Sequence, residues 1–501
     1  MSTRTLGLKS GIGLVIANMV GAGVFLSTGF MAQSLSAAQI LLAWVIGAVL
    51  ALCGAVAYAE VARVVPRSGG EYRFLSSLLH PSLGYLAGWA SLLMGFSAPI
   101  ALDALAAGAF AQAVVPSVSP TFVGGLLIVA LTVVHALGLH LSARIQNGLV
   151  AVKVLLLLVF VLVGVVKGSL AWPTWAPPSP TTSPADAIAF NLFFIAFAFS
   201  GWNAAIYAAD EFKEPGRDVP RAMMLGCLAV GALYLVVNYI FVANLTPEQG
   251  TVVFKYDDFT SLKGQFEQVT LGQAVMAHLL GGGAAKVMSA VMLLLFISAM
   301  SAMMLVGPRV YAAMANDGFL PAVLKAKEGK PPVGAVVLQG VLALALLFTH
   351  DVRSVLSNVG AILVLFAALS VLGLFVADFK EGKPAVPPWP RVVGALVVVA
   401  VSALVLGFDF APLWVRGWLV LIALVVGAVT RHRMVGAGGP SLVSLLCAAV
   451  YVVSAGWMLV AGFRTNLTML AWVGGVSVLG LVAFVVTTKV SLSPRAGRGQ
   501  G

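Results

Sequence analysis

The feature that most constrains this chain is a succession of apolar stretches, each close to the roughly 20 residues that a helix needs to cross a bilayer. Only 9% of the 501 residues are charged and 60% are hydrophobic. A soluble domain carries roughly 25% charged residues, so this chain lacks the polar coat of a soluble protein. Lipid must therefore surround most of it, and the backbone polar groups must be satisfied within helices or a closed barrel. The stretches do not alternate between polar and apolar residues, so the spans are predicted to be helical.

The hydropathy pattern predicts about fourteen membrane-spanning helices. Their approximate bounds are 8–30, 37–62, 82–114, 120–141, 147–168, 187–211, 220–245, 272–315, 333–349, 354–377, 391–409, 412–430, 440–463 and 466–488. The third and eighth spans exceed a straight crossing, so each is expected to tilt or to include flanking surface helix. The loops between the spans are too short to form a soluble domain.

The distribution of basic residues predicts the orientation of these helices. With the N-terminus inside, all but seven of the 29 Lys and Arg residues lie on the cytoplasmic side. The seven exceptions are Lys167, Lys255, Lys263, Lys286, Arg353, Arg416 and Arg464. This asymmetry follows the positive-inside rule, and it accounts for the net charge of +11 without a nucleic-acid partner. We expect a multi-pass protein of a bacterial inner (cytoplasmic) membrane with both termini in the cytoplasm.

Two spans contain glycines at mid-membrane depth. Gly21 and Gly23 flank Ala22 in the first span, and Ser200–Gly201 interrupts the sixth. Small residues alone could reflect close helix packing. However, the two interruptions occupy the first helix in each of two consecutive sets of five. That placement favours an inverted-repeat transporter with discontinuous helices 1 and 6.

The chemistry of such breaks indicates a ligand. Unwinding frees backbone groups that lipid cannot satisfy, so they must line a polar cavity. Free amides of Gly21, Ala22 and Gly23 at the start of the outer half-helix suit a carboxylate, because the helix dipole is positive there. Freed carbonyl groups in the sixth span suit an ammonium group, and they belong to Phe197, Ala198 and Ser200. One anion site beside one cation site describes the backbone of an α-amino acid.

Four segments resemble motifs of the amino acid–polyamine–organocation (APC) superfamily, and within it bacterial relatives of the L-type amino acid transporters. They are VGAGVF at 20–25, PRSGGEY at 66–72, SGWNAAIYAADEFKEPGRDVPRAM at 200–223 and GPRVYAAMANDGFLP at 307–321. The resemblance implies an all-α integral membrane protein with a LeuT-type five-plus-five inverted repeat and additional C-terminal helices. The implied divisions are a core of ten helices in 1–380, its repeats at about 8–168 and 187–377, four additional helices in 391–488, and a cytoplasmic tail at 489–501.

The resemblance also implies roles for side chains. Phe197 would act as an aromatic gate, and Trp202 and Asn203 would shape the pocket. Ala22 stands where the family often has serine or threonine, which removes a hydroxyl group but leaves the backbone amide. Eukaryotic L-type members join an ancillary subunit through a cysteine between spans three and four. Residues 112–120 contain no cysteine, so no disulfide-linked subunit is expected.

Two ionisable residues lie within predicted spans, where charge is costly and points to function. Lys153 in span five could be an anchor that extends to the interface. In proton-coupled relatives a lysine stands at this place, so Lys153 is our candidate for coupling to H⁺, and it disfavours sodium. Asp103 in span three could contact a cationic group or assist proton movement, or it could lie near the outer interface.

These observations predict secondary active transport of amino acids by alternating access, with proton-coupled uptake preferred. An amino acid exchanger and a polyamine or other organic cation carrier remain as alternatives, as does a non-transporting amino acid sensor. A membrane-embedded enzyme would need a constellation such as a Ser–His pair at one interface, and the sequence offers none. The three cysteines lack the spacing of a metal site. We expect no cofactor other than the proton gradient, and no metal.

Overall fold

The computed structural model describes residues 6–137, 139–175, 184–244, 271–326, 330–348, 352–380, 383–407, 413–435 and 439–465. The first part of the chain forms α1 (Leu8–Met19), α2 (Ala22–Met31), α3 (Ala37–Val64), α4 (Gly70–Leu78), α5 (Pro81–Ala90), α6 (Ala98–Val114), α7 (Pro120–Leu137) and α8 (Leu139–Lys167). The middle forms α9 (Pro184–Phe199), α10 (Ala204–Tyr207), α11 (Pro215–Ala243), α12 (Leu271–Leu280), α13 (Gly282–Asn316), α14 (Val333–Leu347) and α15 (Val352–Val376). A hairpin of β1 (Asp378–Lys380) and β2 (Lys383–Ala385) then leads to α16 (Trp389–Gly407), α17 (Leu413–Val435) and α18 (Leu442–Thr465).

The predicted helical membrane fold is confirmed. Within the described residues, eleven helical stretches are long and apolar enough to cross a membrane, and three shorter apolar helices are α9, α12 and α14. Together they account for the first thirteen predicted spans. The fourteenth, at 466–488, lies outside the described residues.

Several local features differ from the prediction. The short helix α4 follows span two, where its polar residues gave no hydropathy signal. The eighth span divides at Gly281, whose φ of 85° ends α12 before α13 begins. Helix α8 starts at Leu139 rather than near 147, because its first turns carry polar residues that hydropathy does not register as helix. The third span is continuous but contains a π-helical stretch at Ser91–Ser97.

Both predicted interruptions are present, and each is packed against the other. The first span breaks between Met19 and Ala22, and the sixth between Phe199 and Ala204. A Cβ atom at Gly23 would lie 2.4 Å from Ala198 Cα. At Gly201, which has φ of 98°, a Cβ atom would lie 2.7 Å from Asn18 Cβ. Glycine is therefore required at both positions, because the two broken helices cross at their breaks.

The remaining helices enclose this crossing. Helix α11 packs on α1 and α3, and α13 packs on α6, so the breaks lie between buried elements. Helix α18, which lies beyond the ten-helix core expected from the sequence, packs against α3, α9, α15 and α16. It therefore reaches α9, the first half of the interrupted sixth span.

Gly201→Ala is expected to destabilise the protein by about 1–3 kcal/mol, because alanine would have to adopt a left-handed backbone conformation while contacting Asn18. Thermal unfolding of the detergent-purified protein measures this effect. Gly216→Ala in α11 is the matched control, since a Cβ atom there meets no heavy atom within 4 Å. Equal melting temperatures for the two variants would contradict the crossing.

Candidate functional site

The carbonyl end of α1 is capped by a buried lysine. Lys153 on α8 is only 1% exposed, and its Nζ donates hydrogen bonds to the carbonyl oxygens of Ala17 at 3.1 Å and Val20 at 2.5 Å. The last carbonyl groups of a helix lack intrahelical partners and carry partial negative charge, so an ammonium group satisfies both needs. The head group of Lys153 therefore lies at the first break and does not extend to an interface.

One hydroxyl group on α11 joins the two breaks. Tyr234 Oη lies 2.6 Å from the carbonyl oxygen of Met19 and 3.2 Å from that of Ala198. The Tyr234 carbonyl accepts a hydrogen bond from the Asn238 side chain at 2.8 Å. Asn238 in turn accepts a hydrogen bond from the Thr28 hydroxyl group on α2. A buried polar chain thus connects both halves of span one to span six.

The amide end of the first break faces an acidic side chain. The amides of Gly21, Ala22 and Gly23 lie at the start of α2, where the first N–H groups have no intrahelical acceptor. A Cβ atom at Gly21 would lie 3.7 Å from Asp103 Oδ2. Asp103 is 1% exposed, so it lies inside the helix bundle. It is also close enough to interact electrostatically with Lys153. The first break therefore contains one acidic and one basic side chain, whose opposite charges offset each other.

Two of the three predicted carbonyl groups of the second break have partners within the protein. The Phe197 carbonyl accepts a hydrogen bond from the Ser200 amide at 3.0 Å, and the Ala198 carbonyl lies against Tyr234. A carbonyl oxygen has two lone pairs, so each can accept a further hydrogen bond. The Phe197 side chain is 4% exposed and belongs to the hydrophobic core.

The residues after Gly201 are held by aromatic and polar contacts. The Trp202 ring packs edge-on against Tyr58 of α3, with ring centroids 4.7 Å apart, and against Tyr451 of α18 at 6.4 Å. The Asn203 side chain donates a hydrogen bond to Glu71 at 2.6 Å. The second break is thus fixed by α3, α18 and the segment after span two.

A cavity of about 100 Å³ lies beside the second break. Among the predicted site residues, Ser200, Trp202 and Asn203 line it, and Asn18 connects it to the first break. Three side chains of α18 form part of its wall, namely Tyr451, Ala455 and Met458. For scale, an apolar cavity of about 150 Å³ holds a benzene molecule. The space therefore has room for a small side chain.

Sequence reasoning missed four contributors to this region. Tyr234 and Asn238 lie one helical turn apart in an otherwise apolar span, and that spacing was the available signal. Glu71 lies in the PRSGGEY motif, which was used for the resemblance alone. For α18 there was no local signal, because its role depends on which helices it packs against.

The described residues contain no group of three or more His, Cys, Asp or Glu side chains that could hold a metal ion. The polar groups at the breaks are mostly backbone amides and carbonyls. Such groups bind and orient a ligand through hydrogen bonds.

Comparison with known proteins identifies the family of this chain. A sequence profile described as "Amino acid permease" matches residues 6–428. The chain belongs to the amino acid permease family. The permease is thus a transporter homologue and not an enzyme, and its membership of the APC superfamily, expected from the motifs, is confirmed.

Two kinds of curated relative align with most of this permease. "Large neutral amino acids transporter small subunit 2" of Rattus norvegicus is 27% identical over 77% of this chain and 71% of the relative. "b(0,+)-type amino acid transporter 1" of Mus musculus is 25% identical over 75% of this chain and 77% of the relative. Among solved structures, Mhp1, a nucleobase-cation-symport-1 family transporter, aligns over 96% of this chain and 97% of its own at 14% identity, with a TM-score of 0.48.

Tyr234→Phe is expected to destabilise the permease by about 1–2 kcal/mol, because the carbonyl groups of Met19 and Ala198 lose the one buried hydroxyl donor that they share. Tyr239→Phe on the same helix is the matched control. Its hydroxyl group donates to the Leu170 carbonyl at an exposed site, where water can replace it. Chemical or thermal unfolding of the purified variants measures the difference. Equal losses for the two variants would show that Tyr234 does not join the breaks.

Proposed function

We propose that this permease takes up α-amino acids by alternating access, with the substrate held between the two breaks and H⁺ as the coupling ion. The observation that carries the proposal is the unequal satisfaction of the first break. Its carbonyl end is occupied by Lys153 and Tyr234, whereas its amide end at Gly21–Gly23 begins a helix and is suited to an anion. Asp103 lies beside that amide end, and Lys153 would offset its charge when a substrate carboxylate binds there.

The substrate backbone would bridge the two breaks. Its carboxylate would accept hydrogen bonds from the amides of Gly21, Ala22 and Gly23. Its ammonium group would donate to the second lone pairs of the carbonyl groups in span six, which belong to Phe197, Ala198 and Ser200. Contact between Gly23 and Ala198 supports a short separation between the two groups of donors and acceptors.

The side chain of the substrate would extend toward the cavity. Trp202 and Asn203 would bound it on one side, and Phe197 would close over the site as a gate. The cavity wall is largely apolar, with Phe96, Leu192 and Ile362 among its members. The one carboxylate among its lining residues, Glu71, already accepts hydrogen bonds from Tyr58, Asn203 and Tyr207. Neutral, apolar amino acids therefore fit better than polyamines, and the name of the rat relative is consistent with that choice.

Lys153 would couple the proton to the movement of span one. In its charged form it holds two carbonyl oxygens at the end of α1. Loss of the proton would weaken that hold, because a neutral amine donates weaker hydrogen bonds than an ammonium group. Asp103 is near enough to stabilise the charged form. Protonation would thus favour one position of α1 over another.

The permease would lie in a bacterial inner membrane with both termini in the cytoplasm, as the positive-inside asymmetry indicates. The name of the rat relative describes that protein as a small subunit. In this chain residues 112–120 contain no cysteine, so we propose that the permease acts without a disulfide-linked partner.

Uptake of a panel of labelled amino acids into proteoliposomes, with and without an inward proton gradient, tests the proposal. Wild-type uptake of neutral amino acids should rise with the gradient. Lys153→Ala should lower the gradient-driven rate about tenfold, because α1 loses the charge that holds its carbonyl end. Lys167→Ala, an exposed lysine in the last turn of the same helix, is the control.

Failure of every α-amino acid to be transported or to compete would overturn the transport proposal. Uptake that does not depend on the proton gradient but requires an amino acid inside the proteoliposomes would identify an exchanger. Normal gradient-driven uptake by Lys153→Ala would remove the lysine from the coupling mechanism and leave amino acid transport intact.

A further inference from the structure

The loop after α3 is shaped to press against the inner half of span six. Its two consecutive glycines, Gly69 and Gly70, have φ of 125° and 55°, a region that residues with a side chain rarely adopt. A Cβ atom at Gly70 would lie 2.0 Å from the Tyr207 ring. This close approach places the next residue, Glu71, in the first turn of α4 and beside α10.

Glu71 is a buried carboxylate surrounded by neutral donors. It is 7% exposed, and it accepts hydrogen bonds from Asn203 Nδ2 at 2.6 Å and from Tyr207 Oη at 2.6 Å. A third hydrogen bond comes from Tyr58 Oη on α3 at 3.1 Å. Burial of a carboxylate is costly unless hydrogen bonds compensate for lost water, and these three donors supply them. Glu71 also lines the cavity beside the second break.

The loop after α3 and the start of α4 are fixed to two other elements. Ser68 and Asp210 exchange hydrogen bonds, from the Ser68 amide at 3.2 Å and from the Asp210 amide at 3.0 Å. On the opposite side, the Tyr72 hydroxyl group and the Arg73 guanidinium both donate to Asp317 Oδ2 at 2.5 Å, just beyond the end of α13. The loop therefore connects the segment after the second break with the end of span eight.

The two sides of the second break are held by different groups. Toward α9, the backbone is held by Tyr234 at Ala198 and by packing of Gly201 on Asn18. Toward α10, Asn203 and Tyr207 are held by Glu71. Loss of the Glu71 charge would thus release α10 and the Asn203 side chain, while leaving the proposed contacts to the carboxylate and ammonium groups of the substrate in place.

We propose that Glu71 is a positioning residue for transport. Its carboxylate sets the position of Asn203 and Tyr207, and so couples α10 to the loop and to the end of α13 as the permease changes conformation. Glu71 lines the cavity proposed for the substrate side chain, but it is not among the groups proposed to hold the substrate carboxylate and ammonium, so it governs turnover more than binding. This inference rests on the proposed amino acid transport.

The test compares Glu71→Gln with Glu214→Gln in proteoliposomes and in detergent. Glutamine keeps the shape of the side chain but removes the charge. Its amide NH₂ group would also face the donor groups of Tyr58, Asn203 or Tyr207. Glu214 undergoes the same chemical change at an exposed site nearby, where it accepts a hydrogen bond from Arg217. The probe is tritiated L-leucine, or the amino acid of the panel that the wild type transports fastest.

Glu71→Gln should lower the maximal uptake rate about tenfold, which is the effect of losing a hydrogen bond to a charged group. The equilibrium Kd for the labelled amino acid should stay within about twofold of the wild-type value. Glu71→Asp, which keeps the charge, should recover part of the rate. Tyr207→Phe should lower the rate on its own and add little to Glu71→Gln, because the two groups act through one contact. Glu214→Gln should behave as wild type in every measurement.

Wild-type rates for Glu71→Gln would overturn the proposal. Parallel losses of binding, rate and melting temperature would also overturn it, since they indicate a structural role alone. If Glu71→Gln does not fold, Tyr207→Phe decides, because it removes a single hydroxyl group. Absence of amino acid binding and uptake by the wild type would instead contradict the proposed function.

Discussion

The structure depends on how the backbone polar groups of two interrupted helices are satisfied at mid-membrane depth. Lipid offers no hydrogen bonds, so each freed carbonyl or amide needs a partner inside the protein or on a ligand. Lys153 and Tyr234 supply the partners for the carbonyl end of α1. The amide end of α2 lies across the break from them. One end of the first break is thus occupied and the other is suited to an anion. A binding role of this kind explains why a membrane protein would retain an interrupted helix, whose freed backbone groups are costly to bury.

The two breaks also form one structural unit. Gly23 packs on Ala198 and Gly201 packs on Asn18, so neither break can move far without the other. Tyr234 reinforces this contact by lying against carbonyl groups of both. Beyond the crossing, Glu71 extends the unit toward the end of α13 through hydrogen bonds and a neighbouring ion pair. Movement at the two breaks would therefore displace the ends of the helices that these contacts join.

The sequence predicted the helical class, the first thirteen spans and the location of both breaks, because these depend on local hydropathy and on glycine. It also placed Lys153 inside the membrane, but the choice between an interfacial anchor and a partner of α1 required the fold. Tyr234, Glu71 and Tyr451 could not be assigned from sequence. Each acts through a contact with a residue far along the chain, such as that of Tyr451 with Trp202, and single-sequence patterns carry no information on such pairs.

Competition for binding of tritiated L-leucine to the purified permease tests the central claim most directly. Isopentylamine lacks the carboxylate group of leucine, and 4-methylpentanoate lacks the amino group. If the two breaks bind both the carboxylate and the amino group, unlabelled leucine should compete at its own Kd. Each analogue should compete about a hundredfold or more less strongly, because buried polar groups at the breaks would lose their partners. Competition by isopentylamine as strong as that of leucine would contradict the account, since the amides of Gly21, Ala22 and Gly23 would then have no role in recognition.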